Sequence, residues 1–261
     1  MKQVRLAEAA SLVRPGDTVA LGGMTLYRRP VGFVRELIRA GVRDLTLLSL
    51  TAGYESDLLV GAGSVSRVRT CYFGLEIFGL APMFTALAPR LEIVEETESS
   101  IAFGLRAAMS GLSYLPARAW LGTDLLRVRP DVQTVVSPFG GETYVAFPAL
   151  VPDVAIIHVA WADREGNAVL GGNWALDREL AVVAKRVILT AEEVRDGLEG
   201  EIDIFSLSVD ALVHLPGGAR PTSCYPHYTL DGEALLDYVE ACGRGEFEAY
   251  LERFIRDDQP R

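Results

Sequence analysis

Two adjacent glycines, Gly22 and Gly23, follow a short apolar run at positions 18–21, where a strand is expected to end. Glycine at such a point serves either a sharp turn or a close approach to the backbone. Ligands of open α/β sheets gather at the carboxyl ends of strands, where free N–H groups can bind an oxyanion. Gly22 and Gly23 are therefore candidate donors to a developing negative charge. Arg28 and Arg29 are candidate contacts for an anion. Alternatively, they are two solvent-exposed side chains on the surface.

A carboxylate cluster, Glu95, Glu96 and Glu98, lies at the end of the predicted strand 91–96 and the start of the predicted helix 99–110. A glutamate at a strand end can act as a nucleophile or general base. Acidic side chains are also favoured at helix N-termini by the helix dipole, so the cluster has a purely structural alternative. Glu142, in a later loop, is a second candidate carboxylate.

A second candidate loop has the sequence SPFGGETYVAFP, at positions 137–148. Its glycines, proline and aromatic side chains are typical of a loop that lines a pocket rather than a solvated one. Ser137, Phe139 and Gly140 are its candidate substrate contacts. His158 lies in the strongest strand signal, 153–162, and is either a site residue or a hydrogen-bonded core histidine.

The sequence lacks the motifs that several other chemistries require. The sequence contains no GxGxxG, no GxxxxGK[ST] and no GxSxG, so it offers no dinucleotide fingerprint, P-loop or nucleophile elbow. Cys71, Cys224 and Cys242 are widely spaced, and the three histidines have no metal-ligand spacing. We therefore expect no metal site, and the odd, sparse cysteine count fits a reducing cytoplasm.

Length and composition limit the class of protein. The 261 residues are 49% hydrophobic, enough for one α/β domain with a sizeable core. The formal net charge of −10 disfavours nucleic acid as a partner. The start has no apolar signal-peptide region, and the most apolar window, 73–89, is broken by Glu76 and two prolines. We expect a cytoplasmic protein without a membrane partner.

Apolar strands that alternate with helical segments predict a parallel sheet covered on both faces. The predicted strands are 18–21, 44–50, 66–73, 91–96, 153–162, 186–190 and 211–216, and 113–118 is short and extended. Predicted helices are 6–13, the segment after Pro30, 55–63, 99–110, 177–184 and a helical tail at 230–254. Thr190 and Glu193 have the spacing of a capping box. Residues 127–152 are the least regular segment, which favours a long functional loop between two halves of one domain. The fold class is thus α/β, an open and mostly parallel sheet with a helical C-terminal segment, in a single domain spanning 1–261.

Several segments, in this order, resemble the α-subunit of family I coenzyme A transferases, most closely the glutaconate CoA-transferase type. They are VALGGMTLYRRP (19–30), SGLSYLPAR with LGTDLL (110–126), SPFGG (137–141), PDVAIIHVAWADREGN (152–167) and AKRVILTAEEV (184–194). Together they span roughly residues 6–194, and the segment 152–167 is the most specific of them.

The resemblance implies an open α/β fold and a hetero-oligomer with a β-subunit, α2β2 or larger. It implies ping-pong transfer of CoA from an acyl-CoA to a carboxylic or dicarboxylic acid. A glutamate of the β-subunit is then the nucleophile, and this chain provides the facing wall with the Gly22-Gly23 loop. The CoA thioester is a substrate; no tightly bound cofactor and no metal is implied. The chain alone is then expected to be inactive.

The sequence departs from the family pattern near the acyl pocket. Met24 stands where an aromatic residue is frequent, and LSYLPAR replaces the more usual LPFxPTR, with Ser113 for Pro and Ala117 for Thr. Some relatives resemble ring-opening hydrolases of steroid breakdown, which use a glutamate of the α-like chain; Glu98 is then the candidate. A third reading is a non-catalytic module that binds a CoA ester or a sugar phosphate.

Overall fold

Two sheets organise the chain in a computed structural model that describes residues 2–256. The strands are β1 (Thr18–Leu21), β2 (Leu45–Ala52), β3 (Val65–Phe73), β4 (Glu92–Glu95), β5 (Tyr114–Ala117), β6 (Gln133–Val136), β7 (Thr143–Pro148), β8 (Val154–Asp163), β9 (Ala168–Val169), β10 (Val187–Arg195) and β11 (Ala211–His214). The helices are α1 (Leu6–Ala10), α2 (Val31–Arg39), α3 (Tyr54–Gly61), α4 (Pro82–Leu87), α5 (Glu98–Met109), α6 (Leu125–Val128), α7 (Asp177–Val183), α8 (Gly232–Gly243) and α9 (Phe247–Arg256).

The larger sheet has the order β11-β10-β8-β1-β2-β3-β4, and every neighbouring pair along this path is parallel. Only β9, which pairs with β8, runs antiparallel in this sheet within residues 2–256. The predicted mostly parallel α/β sheet is therefore confirmed. β1 lies between β2 and β8, so the loop after Leu21 leaves the middle of the carboxyl edge. That edge is where α/β proteins place their ligands.

Both faces of the sheet are buried by helices, as apolar strands require. One face packs with α1 and α2 around Phe33 and Leu37, and the other with α5 and α7 around Leu105 and Ile157. A separate apolar cluster joins α8 and α9 to α3 through Tyr54. The helical C-terminal segment is thus confirmed, and it packs beside the carboxyl edge through α3.

The smaller sheet is antiparallel, with the order β5-β7-β6, and it corrects the expectation for residues 127–152. That segment is not a loop, because Val145 and Phe147 of β7 bury themselves against Trp120 and Val132. The pattern was missed because only one face of this sheet is apolar and its strands are short.

Two further details differ from expectation. Thr190 and Glu193 do not cap a helix, because both lie inside β10, where Thr190 is in register with His158 of β8. A capping box forms instead at Thr97, whose side chain accepts from the Ser100 N–H at the start of α5. Helix α1 is also shorter than predicted. Among the helices of residues 2–256, none has the length and apolar character needed to cross a bilayer.

Candidate active site

The two glycines after β1 are held by groups from distant parts of the chain. The Gly22 N–H donates to the Ile156 carbonyl at 2.9 Å. The Gly23 N–H donates to the Asp177 carboxylate at 2.9 Å, and Gly23 has a φ of +75°. A Cβ on Gly22 would lie 2.8 Å from Asp177 Oδ1, and a Cβ on Gly23 would lie 2.4 Å from the Tyr27 carbonyl oxygen. Glycine is therefore needed here because other protein atoms approach the backbone closely.

This arrangement corrects the prediction that these N–H groups await a substrate oxygen. Both donors are already used, one in the sheet ladder and one by a carboxylate. The N–H of Met24 is used as well, since it donates to the Tyr27 carbonyl at 3.0 Å. Gly22 permits the close approach of Asp177 and Gly23 permits that of the Tyr27 carbonyl, so the loop is a fixed structural element at the carboxyl edge.

Arg28 is buried beneath this loop instead of being a solvated surface residue. Its Nη2 lies 2.8 Å from Asp177 Oδ2, and its guanidinium also reaches the carbonyls of His158 (2.8 Å), Gly172 (3.0 Å) and Asn173 (2.6 Å). A guanidinium whose fork is filled by protein oxygens has little capacity left for a ligand. Arg28 therefore ties the glycine loop to β8 and to the segment before α7.

A second buried arginine holds the other side of the loop, and the sequence did not identify its partners. Arg29 donates to the Gly23 carbonyl at 2.9 Å, to Ser49 Oγ at 3.1 Å and to Glu55 at 2.6 Å. Arg29 Nε and Glu55 Oε2 are buried without a hydrogen-bond partner among the described residues. The adjacent arginines after the loop were a visible signal, but Glu55 resembled an ordinary acidic residue in a first helical turn.

A narrow slot of about 10 Å³ opens beside Gly23, close to the volume that one water occupies. Its polar wall contains Ser49 and Asp177. Its apolar wall consists of side chains from β1, β2, α5 and α7, together with the residues just before α7: Leu21, Leu48, Leu50, Ile101, Leu105, Ala175, Leu176 and Leu180. The slot joins the glycine loop to α5, which carries the candidate glutamate.

The carboxylate cluster divides into one structural and two exposed members. Glu96 is buried and lies 3.0 Å from Arg129 Nη1, and it also pairs with Arg69. Two arginines compensate this carboxylate, so it is a poor nucleophile. Glu95 and Glu98 are exposed.

Glu98 is the first residue of α5 and precedes Ile101 of the slot by three positions. Residues i, i+3 and i+7 share a helix face, so Glu98 lies on the face that carries Ile101 and Leu105. Burial raises the pKa of the Cys71 thiol to about 11, and the nearby Glu98 charge contributes to this rise. Of the three clustered glutamates, Glu98 is thus the one that α5 brings towards the slot.

His158 faces a buried polar cluster and not open solvent. Its Nδ1 lies 2.8 Å from Thr190 Oγ1, and its Nε2 lies 2.7 Å from Glu192 Oε1. Burial lowers the pKa of His158 and outweighs the opposing effect of Glu192. Burial raises the pKa of Glu192, but hydrogen bonds from His158, Tyr228 and the Gly217 N–H outweigh it and leave that pKa lowered. The pair is therefore a neutral imidazole that donates to a carboxylate.

Cys224 completes a group of potential metal ligands with His158 and Glu192, whose ligand atoms all lie within 4.8 Å of one another. Both imidazole nitrogens already have hydrogen-bond partners. Burial raises the pKa of the Cys224 thiol to about 12, which keeps it protonated near neutral pH. These contacts describe a hydrogen-bonded polar core.

The loop with Ser137, Phe139 and Gly140 forms the tip of the β6–β7 hairpin. The Ser137 N–H donates to the Glu142 carbonyl at 2.8 Å, and Glu142 lies 3.6 Å from Arg118. Phe139 is 97% exposed. Within residues 2–256 the hydrogen bonds and ion pairs of this tip stay inside the small sheet and its neighbours, and none of them joins the tip to the glycine loop.

Comparison with known proteins identifies the family. The family model described as coenzyme A transferase matches residues 4–214. The chain belongs to the coenzyme A transferase family. The resemblance found in the sequence is thereby confirmed.

Similarity to individual members of the coenzyme A transferase family extends over nearly the whole chain. The A-subunit of 3-oxoadipate CoA-transferase from Pseudomonas knackmussii is 34% identical over 253 residues, covering 94% of this chain and 89% of that protein. The cholesterol ring-cleaving hydrolase IpdA subunit of Mycobacterium tuberculosis is 32% identical over 260 residues, covering 92% and 88%.

Two solved structures are also similar. Glutaconate coenzyme A-transferase of Acidaminococcus fermentans matches with a TM-score of 0.90 and 30% identity, covering 100% of this chain and 90% of that one. A variant of the decarboxylase AibA/AibB matches with a TM-score of 0.93 and 32% identity, covering 98% and 100%. One fold therefore serves proteins named for transfer, hydrolysis and decarboxylation, so the reaction must be argued from the site.

Proposed function

We propose that this chain is the α-subunit of an acyl-CoA:carboxylate CoA-transferase, which moves CoA from an acyl-CoA to a carboxylic or dicarboxylic acid. The observation that carries the proposal is similarity over 94% of the chain to a protein named as the A-subunit of such a transferase. Residues 1–261 then form one α-subunit domain. Its partner is a β-subunit in an α2β2 or larger assembly, in the cytoplasm, with no tightly bound cofactor.

The state of this chain's own carboxylates supports placing the nucleophile on the β-subunit. Asp177 pairs with Arg28, and Glu55 pairs with Arg29. A carboxylate that is buried and ion-paired is stabilised as the free anion and attacks a thioester slowly. Glu96 is compensated in the same way by its two arginines. These groups build the wall of the site, and the β-subunit glutamate faces it.

In the proposed reaction the glutamate carboxylate attacks the thioester carbonyl and expels CoA as a thiolate, which leaves a mixed anhydride. The CoA thiolate then attacks the glutamyl carbonyl, which releases the first carboxylate and forms an enzyme thioester. The acceptor carboxylate attacks that thioester and expels the CoA thiolate, which leaves a second mixed anhydride. The thiolate then attacks the acceptor carbonyl of this anhydride, which forms the new acyl-CoA and frees the glutamate carboxylate. Each step exchanges one carboxylate or thiolate for another, so the cycle needs no redox partner.

The contribution of this chain is a rigid apolar wall beside the reacting carbonyl. Arg28 and Arg29 hold the glycine loop from both sides, so Gly23 and the slot keep their positions during turnover. We propose that Met24, which follows Gly23, contacts the acyl group. We also propose that Ser137, Phe139 and Gly140, at the exposed tip of the β6–β7 hairpin, contact the substrate.

A second candidate function is ring-cleaving hydrolysis of a CoA ester. Two observations favour it: the similarity to the IpdA subunit, and the exposed Glu98 on the slot-facing side of α5. In that reaction Glu98 would act as the working carboxylate of this chain, as nucleophile or as general base for water.

Substitution of Glu98 separates the two functions. In the complex with the β-subunit, Glu98→Gln should leave CoA transfer within a few-fold of the wild type, whereas it should abolish hydrolysis. Glu95→Gln is the matched control, because Glu95 is exposed, lies three residues away and belongs to β4 rather than to the slot-facing helix. Tight binding of acyl-CoA without turnover in any variant would instead indicate a binding module.

A further inference from the structure

A surface cavity of about 620 Å³, open to solvent over most of its extent, lies in the segment between β11 and α8. Its volume falls within the range typical of small-molecule sites. The wall is formed by Arg220 and by the run from Tyr225 to Glu233. None of the groups assigned above to the reacting centre lines this cavity, and its wall offers both aromatic and charged side chains.

Arg220 is the cation of this wall. Its guanidinium carbon lies over the Tyr228 ring, 4.4 Å from the ring centroid, which is a cation–π contact. No hydrogen bond or carboxylate partner engages this guanidinium within the described residues, in contrast to Arg28 and Arg29. The half-buried guanidinium therefore keeps its donors available for a ligand in the cavity.

Tyr228, on which Arg220 stacks, is itself fixed by the buried polar cluster. Its hydroxyl donates to Glu192 and accepts from the Ala219 N–H at 3.1 Å. Glu192 in turn accepts from His158 of β8 and from the Gly217 N–H. The arginine thus rests on a ring anchored in the sheet, which is the preorganisation that a specificity contact needs.

The segment between Arg220 and Tyr225, both of which line the cavity, pairs with the residues that follow the glycine loop. The Ser223 carbonyl accepts from the Arg28 N–H at 2.7 Å, and Thr222 Oγ1 accepts from the Arg29 N–H at 3.2 Å. Arg220 is three residues before Ser223, so at most ~11 Å of chain separates their Cα atoms. A short acid whose reacting carboxylate lies near the loop can extend its far end towards Arg220.

The charge of the wall limits what can bind. Asp231 and Glu233 also line the cavity, and Asp231 is used to cap α8 through the Ala234 N–H at 3.0 Å. One cation beside two carboxylates repels a group with several negative charges, such as the phosphates of CoA. A single carboxylate can still pair bidentately with the Arg220 guanidinium.

We propose that Arg220 recognises the distal carboxylate of a dicarboxylic acid substrate and so sets the preference of the site for diacids over monoacids. The inference rests on the proposed function, since it assigns a specificity residue to that reaction. It also commits the substrate class to short dicarboxylic acids, which the Arg220–Tyr228 wall would hold by their non-reacting end.

A matched pair of acceptor acids tests the proposal in the complex with the β-subunit. Glutarate and valerate have the same chain length, and only glutarate has a distal carboxylate. Arg220→Gln should raise KM for glutarate at least tenfold and change KM for valerate less than twofold; Arg220→Lys should lie between. Arg253→Gln is the control, because this exposed arginine also lies over a tyrosine, Tyr250 at 5.6 Å, but belongs to α9, which contributes no residue to the cavity wall.

Equal changes for both acids, or no change for either, would overturn the assignment of Arg220. A wild-type complex that transfers CoA to neither acid would instead count against the proposed function. In that case, glutarate binding to the wild-type complex and to the Arg220→Gln complex, measured by equilibrium dialysis, still tests the role of Arg220. Binding that is lost in the variant supports it, and absence of binding by the wild type rejects it.

Discussion

The carboxylate of Asp177 accepts a hydrogen bond from the backbone N–H of Gly23, 2.9 Å away and 154 positions earlier in the chain. The same carboxylate holds Arg28, so the first residue of α7 fixes the loop after the central strand β1. Asp177 and Arg28 are almost fully buried, with side chains 1% and 2% exposed. This contact explains the glycine at position 22, whose Cβ would lie 2.8 Å from Asp177 Oδ1, whereas Gly23 is required by its positive φ and by the Tyr27 carbonyl.

Replacing Asp177 by Asn should destabilise the protein strongly. Removing one partner leaves the buried Arg28 charge uncompensated, which costs about 3–5 kcal/mol of unfolding free energy. Urea denaturation monitored by circular dichroism measures this loss. Glu240→Gln is the control, because the Arg244–Glu240 pair is exposed and should be worth under about 1 kcal/mol. Equal losses in the two variants would contradict the role given to Asp177.

Gly23→Ala should lower the free energy of unfolding by more than the strain of a positive φ alone. Gly16 and Gly23 have similar φ values, +87° and +75°, but a Cβ at Gly16 meets nothing within 4 Å. Gly16→Ala therefore reports backbone strain alone, on the order of 1 kcal/mol. Gly23→Ala adds the 2.4 Å clash with the Tyr27 carbonyl oxygen. The urea midpoints of the two variants, measured together with the activity of the complex, separate the effect of this clash from that of backbone strain. Equal midpoints for the two variants would contradict the clash.

Asp57 should make stability fall as pH rises. Burial raises its pKa from 3.8 to about 6, although it accepts hydrogen bonds from Tyr238 and from the N–H groups of Met83 and Phe84. Between these values the folded chain keeps a proton that the unfolded chain has lost. The contribution of Asp57 is therefore greatest below about pH 4 and decreases, by on the order of 2–3 kcal/mol, up to about pH 6.

The difference in unfolding free energy between wild type and Asp57→Asn, measured at several pH values, tests this sign. It should decrease between about pH 4 and pH 6. Asp131→Asn is expected to show the opposite pH dependence, because the hydrogen bond from Arg129 holds the pKa of Asp131 below its usual value. Its contribution should instead be lost as pH falls below that usual value. A flat difference curve for Asp57 would be evidence against its raised pKa.

Phe139→Ala should leave the fold of this chain unchanged. The ring is 97% exposed, and surface substitutions away from special features shift stability by less than about 0.5 kcal/mol. If the tip contacts substrate or the β-subunit, the same variant should raise KM or weaken the complex. Thermal denaturation of the isolated chain and titration with the β-subunit measure the two effects separately. A large loss of stability in the isolated chain would show that the ring is packed.

The central sheet could be predicted from the sequence because each of its strands is apolar throughout and the apolar residues of the helices recur at helical spacing. That information is local, and β1, β2 and β8 were found within two residues of their observed bounds. In the small antiparallel sheet, β5 matches the extended segment predicted at 113–118, but β6 and β7 were missed because they are short and pack against Trp120, which is distant in the sequence from β7.

The site was harder to predict than the fold because its contacts are long-range. Gly22 and Gly23 were identified by residue type, but the carboxylate that binds their loop comes from α7. Glu55 and Asp177 each resembled an acidic residue in a first helical turn, which is a frequent and neutral position. Only the parallel sheet, by bringing β1 between β2 and β8, makes them neighbours of the loop.

The central claim is that this chain forms the supporting wall of a CoA-transferase whose nucleophile lies on the β-subunit. The most direct test is to incubate this chain with acyl-CoAs, with and without its β-subunit, and reduce any glutamyl thioester with borohydride. Peptide mass spectrometry then maps the modified glutamate. We expect modification of the β-subunit only, and only in the mixture. A modified glutamate on this chain, or CoA-ester cleavage that depends on Glu98 with no trapped glutamate, would contradict the account.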